Sequence, residues 1–152
     1  YSESLPGTIK RETQNFIKVK KMMEIKKLAI VGFGGRGRIY ADFCRQNPEK
    51  FHLAAVAETD ESRRREAVEQ FGAKGYVDYR EMLSSGEKFD LVVIATQDGQ
   101  HKEQAIYALE HGYDLLLEKP IATSEEDCFK IYNCAKRNGV CMSCPSVYAF
   151  LF

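Results

Sequence analysis

The chain has 152 residues, enough to bury a real core in one domain and short for two. Its 22 Lys and Arg balance 22 Asp and Glu, which leaves no global basic field for nucleic acid, and its longest apolar runs, such as Leu91-Val-Val-Ile-Ala95, are strand-sized and exclude a bilayer span. Five cysteines, an odd number, suit a reducing compartment better than a disulfide framework; with no apolar centre in Tyr1–Lys21 to serve as a signal peptide, the expected location is the cytoplasm.

Residues 1–24 contain Pro6-Gly7 and scattered Lys and predict no firm element, so they are read as an extension, with Met22-Met23 as a natural start. Residues 25–145 then alternate between strand and helix signals. Strands are expected near 27–32, 52–58, 90–95, 113–117 and 140–144, with a short one at Tyr76-Val77. Helices are expected near 36–47, 61–71, 79–85, 99–111 and 124–138. Stop signals agree: Asn47-Pro48, Phe71-Gly72, His111-Gly112 and Asn138-Gly139 close four of these helices. Ser124, followed by Glu125, Glu126 and Asp127, opens the last one with acids matched to the helix dipole. Aliphatic strands separated by helices of this length predict a single α/β domain: a doubly wound, Rossmann-type parallel sheet in three layers. Residues 146–152 form an apolar tail, Val147-Tyr-Ala-Phe-Leu-Phe152 being the part expected to drive homo-oligomerisation.

The first strand runs into Gly32-Phe33-Gly34-Gly35-Arg36-Gly37, a G-x-G-x-x-G loop at the start of a helix. In a dinucleotide site the first glycine of this pattern permits the tight turn, the second lets the backbone approach a pyrophosphate, and the third allows the helix to pack on the strand. The unpaired N–H groups of the helix start would meet the phosphate charge, and Arg36 would add to it. The second strand ends in Glu58-Thr59-Asp60, with Glu58 lying 21 residues after Gly37. Of its two acids, Asp60 is assigned as the cap of the next helix and Glu58 as the acceptor for the adenosine ribose hydroxyls, a charge that would repel the extra phosphate of NADP. The run Arg63-Arg64-Arg65 is either a solvated helix face or a source of a guanidinium for that phosphate. NAD is therefore the expected cofactor, with NADP as the alternative. Cys141-Met-Ser-Cys144 has redox or zinc half-site spacing, but without a second Cys/His pair it is read as small buried residues around the last strand, and no metal site is expected.

Val93-Ile-Ala-Thr96-Gln97-Asp98-Gly-Gln-His101, followed by Leu115-Leu-Leu-Glu118-Lys119-Pro120, resembles the Gfo/Idh/MocA family (glucose-fructose oxidoreductase, inositol dehydrogenase and MocA) over about Ile25 to Val140. The family usually has Pro where this chain has Gln97. The resemblance implies an oxidoreductase that passes hydride between a nicotinamide cofactor and a sugar, inositol or related polyol. It places Lys119 beside the nicotinamide and the reacting carbon, with Glu118 and Pro120 fixing its loop and Thr96 and Gln97 bordering the cofactor. An ammonium there suits the negative charge that develops on oxygen as hydride leaves. His101 either reaches the ribose or substrate side or sits in the first turn of its helix. In the family a second α/β domain follows and supplies the acid/base residues; none is legible here, so this chain is expected to bind cofactor without turnover. Two other readings stay open: a stand-alone module sensing NAD(H), and a fragment of the NAD-dependent glycosidases, a branch of the family that the chain resembles in having Arg36 in its glycine loop.

Overall fold

The computed structural model of the protein describes residues 24–145; the expectations for 1–23 and for the tail 146–152 lie outside them. Six strands, β1 (Lys26–Val31), β2 (Phe51–Ala57), β3 (Lys74–Tyr76), β4 (Leu91–Ile94), β5 (Leu115–Leu117) and β6 (Met142–Ser143), form one sheet. Their order is β3-β2-β1-β4-β5-β6, and every neighbouring pair is parallel. The connecting helices are α1 (Gly35–Gln46), α2 (Glu61–Phe71), α3 (Tyr79–Leu83), α4 (His101–Glu110) and α5 (Glu125–Asn138).

Alternation along β1 shows how the layers arise. Leu28 and Ile30 point to one face, where they meet Ala41 and Cys44 of α1 and Ala67 of α2. Ala29 and Val31 point to the other, which Met82 of α3, Ala105 and Ala108 of α4 and Ile131 of α5 cover. With helices on both faces, strand residues of either parity are buried, which is why the central strands read as unbroken apolar runs. Val92, Val93 and Ile94 are fully buried accordingly.

The helix ends follow local chemistry. The Asp60 carboxylate accepts the Arg63 N–H at 2.9 Å, and Ser124 Oγ accepts that of Asp127 at 3.2 Å, each occupying one of the orphan donors of a helix start. Gly72 and Gly139 end α2 and α5 at φ 67° and 65°, left-handed backbone that glycine adopts without a Cβ penalty. Some boundaries differ from the sequence reading. The fourth helix begins as a 3-10 turn at Asp98–Gln100 and becomes α-helical only at His101, and α3 stops at Leu83, with Ser84 as its C-cap. The reading of Cys141 and Cys144 as buried does not hold. Since β6 is a two-residue strand at the sheet edge, Cys141 is exposed and Cys144 half-buried, while Cys44 and Cys134 are buried. Among the described residues no helix is long and apolar enough to cross a membrane.

β1 sits between β2 and β4, so successive connections leave it in opposite directions. The loops after β1 and β4 therefore part at their carboxyl ends and open a crevice between them.

Candidate functional site

A cleft of about 710 Å³ occupies that crevice, within the size range of small-molecule sites. Its floor is the glycine loop. Gly32, at φ +90°, turns the chain out of β1, and a Cβ there would lie 2.7 Å from Thr96 Cγ2 and 2.9 Å from the Ala95 carbonyl. Gly37 does a different job: a Cβ on it would fall 2.1 Å from the Gly32 carbonyl oxygen, so its absence lets α1 lie against the turn. Among the described residues, chain neighbours and the helix's own backbone aside, nothing comes within 4 Å of the Cβ position of Gly35, and at Gly34 only Arg63 Nη1 does, at 3.9 Å. These two residues thus present bare backbone to open space at the start of α1, a cradle that any side chain would begin to fill and that fits a pyrophosphate.

Glu58, at the end of β2, is buried and turned back toward this loop. Its Oε2 accepts the Phe33 N–H at 2.7 Å, and its Oε1 accepts the Asp60 N–H at 2.9 Å and the Thr59 hydroxyl at 3.3 Å. The carboxylate pins the glycine loop to the β2–α2 turn while one edge still faces the cleft.

Of the residues expected at the site, Gly32, Gly34, Gly35, Arg36, Glu58, Thr96 and Gln97 line the cleft together. Gln97 holds φ −71°, within the range proline would impose, so its substitution for the family's usual Pro keeps this backbone angle. Phe33 and Gly37 stand behind the wall: the Phe33 ring is fully buried and packs edge-on to Phe71 at 5.8 Å. His101 is also fully buried, in the first turn of α4. Its Nδ1 lies 2.7 Å from the Pro120 carbonyl and its Nε2 3.2 Å from that of Thr96. The ring therefore braces the loop after β4 against the loop after β5 and does not touch the cleft.

Glu118, Lys119 and Pro120 follow β5, where Lys119 and Pro120 are exposed and Glu118 is buried. Arg36, expected to face phosphate, instead directs Nη2 and Nε to Glu118 Oε1 at 2.8 and 3.1 Å. The same oxygen accepts the Tyr40 hydroxyl, and Oε2 accepts the Lys119 N–H at 3.2 Å. Glu118 thereby ties the lysine loop to α1. Tyr40 was not singled out from the sequence, although its spacing from Arg36 is the i,i+4 interval that shares a helix face.

Burial pushes the Glu118 pKa up, but the Tyr40 and Arg36 hydrogen bonds and the Arg36 charge outweigh it, so the carboxyl titrates below its usual range. Burial and the adjacent Glu118 carboxylate push the Tyr40 hydroxyl pKa up, keeping it a donor. A depressed carboxyl pKa means that the unfolded chain binds more protons, so stability rises with pH across the interval. The contribution of Glu118 is complete above the ordinary glutamate value of about 4.3 and is lost as pH falls through the lower folded value. Glu118→Gln should flatten that acid limb. Tyr40→Phe, which removes a hydrogen bond to a charged group, should cost about 1.5–3 kcal/mol at neutral pH. Urea unfolding from pH 3 to pH 7 checks both, and an unchanged acid limb in Glu118→Gln would remove this carboxylate from the account.

Residues 26–145 match the family described as "Oxidoreductase family, NAD-binding Rossmann fold". The chain belongs to the Gfo/Idh/MocA oxidoreductase family. As a family member it is similar to an uncharacterized oxidoreductase of Streptococcus pneumoniae, with 33% identity over 75% of this chain and 30% of that protein. It is also similar to scyllo-inositol 2-dehydrogenase (NADP(+)) IolU of Bacillus subtilis, with 37% identity over 60% of this chain and 28% of that one. The chain thus spans less than a third of the length of these relatives. Among solved structures, the WlbA dehydrogenase of Chromobacterium violaceum, in complex with NADH and UDP-GlcNAcA, superposes with TM-score 0.76 at 26% identity, covering 80% of this chain and 35% of that one. GenD2 from gentamicin A biosynthesis, in complex with NAD, gives 0.75 at 27% identity over 81% of this chain and 35% of that one.

Proposed function

We propose that this family member is the cofactor-binding domain of an enzyme that passes a hydride between a nicotinamide dinucleotide and a hydroxyl-bearing carbon of a sugar, inositol or related polyol. The observation that carries this reading is the open backbone cradle at Gly34 and Gly35, which lines the cleft together with Glu58. The family supports the cofactor class, and the inositol and sugar-nucleotide ligands in the names of relatives support the substrate class.

A bound nicotinamide dinucleotide supplies the hydride acceptor or donor. The residues of this chain bind and orient. The amides at the start of α1 meet the pyrophosphate, Glu58 accepts a ribose hydroxyl, and Thr96 and Gln97 border the nicotinamide half. Thr96 is positioned for this by its hydroxyl, which donates to Gln104 Oε1 at 2.5 Å. Lys119 orients the substrate hydroxyl and stabilises the charge growing on its oxygen. Glu118, Arg36, Tyr40 and His101 act through it as positioning residues, since they hold the loop that carries it.

Fluorescence titration with NADH tests the binding part, with saturable binding by the 152-residue chain expected. Turnover needs the substrate carbon fixed against the nicotinamide, and the described residues build only the cofactor side of such a cleft. Assays of the chain alone with NAD and myo-inositol should therefore yield no NADH. Steady NADH production that disappears in Lys119→Ala would refute this division of labour.

A further inference from the structure

The redox spacing of Cys141-Met-Ser-Cys144 does not survive as a pair in the fold. Alternation along β6 turns Cys141 and Ser143 toward the face of the sheet where Leu28, Phe51 and Leu91 lie, and Cys141 is exposed there. It turns Met142 and Cys144 toward the opposite face, where Met142 packs against the core that Ile131 and Ala135 of α5 help to form. Another cysteine stands on that side. Along α5 the inward residues are Asp127, Cys128, Ile131, Cys134 and Ala135, the spacing of one helix face. This face has two flanks. Asp127 pairs with Lys102 of α4 at 3.2 Å and Cys134 Sγ lies 3.9 Å from the Ile106 carbonyl of the same helix, so that flank meets α4. Cys128 belongs to the other flank, away from α4, where β6 forms the edge of the sheet.

Connectivity then brings Cys128 and Cys144 to the same end of that edge. Because β5 and β6 are parallel, α5 runs back between them and its first turn lies over the carboxyl ends of the strands. Cys128 is in that turn, its N–H donating to the Ser124 carbonyl at 3.1 Å, and Cys144 directly follows the last residue of β6. Leu115 pairs with Met142 and Leu116 with Ser143, a register that sets Cys144 level with Leu117, one residue from Glu118. Both thiols are half-buried. Burial raises the pKa of the Cys144 thiol, and the neighbouring charges of Glu118 and Cys128 raise it further, as three groups sharing one corner require.

We propose that Cys128 and Cys144 are a redox pair that closes to a disulfide under peroxide and ties the first turn of α5 to the sheet edge beside the Lys119 loop. One thiol, as its thiolate, attacks hydrogen peroxide; the O–O bond breaks, a sulfenic acid forms, and the departing hydroxide takes up the proton that the thiol released. The second thiol, again as its thiolate, attacks the sulfenic sulfur, the S–S bond forms, and the displaced hydroxide leaves as water with that thiol's proton. Two thiols are oxidised to one disulfide and one peroxide is reduced to two waters. A thiol reductant reverses the bond by exchange. None of this depends on the dinucleotide reading.

Peroxide treatment of the folded, dilute 152-residue chain tests the pairing. Two of its five free thiols should disappear and return with dithiothreitol. Trypsin should release a fragment that joins residues 103–130, whose sole cysteine is Cys128, to residues 138–152. Cys141→Ser should give the same fragment, which assigns the bond to Cys144, while Cys128→Ser and Cys144→Ser should give none. Closing the loop 128–144 restricts the unfolded chain, so the oxidised protein should unfold several degrees higher than the reduced one. A cross-link absent from Cys141→Ser would overturn the proposal, as would one that forms only in urea or lowers the unfolding midpoint, because the native fold would then hold the two sulfurs apart. Oxidation of Cys128 and Cys144 to unlinked sulfinic acids would overturn it as well.

Discussion

Gly34→Val is expected to abolish dinucleotide binding in a domain that remains folded. Gly34 holds φ −77° and ψ −162°, extended backbone that a β-branched residue adopts readily. Among the described residues beyond its chain neighbours, nothing but the tip of Arg63, 3.9 Å away, lies near its Cβ position, so the new side chain meets no packed neighbour there and should change stability by no more than about 0.5 kcal/mol. Its methyl groups would occupy the space in front of the α1 amides, and a pyrophosphate could no longer reach them. Losing those charge-assisted contacts should raise the dissociation constant for NAD and NADP alike by about a hundredfold or more, equivalent to about 2.7 kcal/mol. Calorimetry paired with thermal unfolding is the check. Undiminished affinity would remove the glycine loop from the site, whereas a lost fold would contradict the open geometry of Gly34.

Gly37→Ala should do the reverse and damage the fold before the site. Its Cβ would be driven to 2.1 Å from the Gly32 carbonyl oxygen and 3.1 Å from the Gly32 carbonyl carbon. That backbone has nowhere to retreat. Gly32 is held at φ +90°, its N–H donates to the Ala57 carbonyl at 2.8 Å, and a Cβ on Gly32 itself would already collide with the loop after β4. Removing a glycine from a helix normally gains up to about 1 kcal/mol, but overpacking of this kind costs about 1–3 kcal/mol or more, and here it falls on a tethered main chain. With the cost at the upper end of that range, a net loss of about 2 kcal/mol is expected, read as a lower denaturant midpoint at unchanged slope. A midpoint that rises would mean that α1 does not approach the turn this closely. The two substitutions separate what a shared motif merges: Gly34 is bare for a ligand and Gly37 for the helix.

Much of this molecule is legible in its sequence. Strand and helix segments, the Asp60 and Ser124 caps and the glycine stops at Gly72 and Gly139 depend on interactions that span about four residues or fewer, so each is written in a short stretch of chain. The parallel three-layer architecture follows from their alternation. The placement of Glu58, Thr96 and Gln97 follows as well, because each ends or follows a strand whose carboxyl end opens on the crevice.

What the side chains do on arrival was decided only by the sheet order. That order brings Glu118 to Arg36 across 82 positions and Glu58 to the Phe33 amide across 25. A carboxylate joined to a guanidinium at such separations leaves no periodicity in the chain. Arg36, a phosphate-ligand candidate by sequence, lines the cleft and also anchors the Lys119 loop through Glu118, and His101, equally suited by sequence to the cleft and to the first turn of its helix, lies in that turn with its ring against the Pro120 carbonyl 19 positions away. The three consecutive arginines are alike as sequence. Rotation of about 100° per residue around α2 sends them to different neighbours, leaving Arg63 alone without a partner among the described residues and within the cleft.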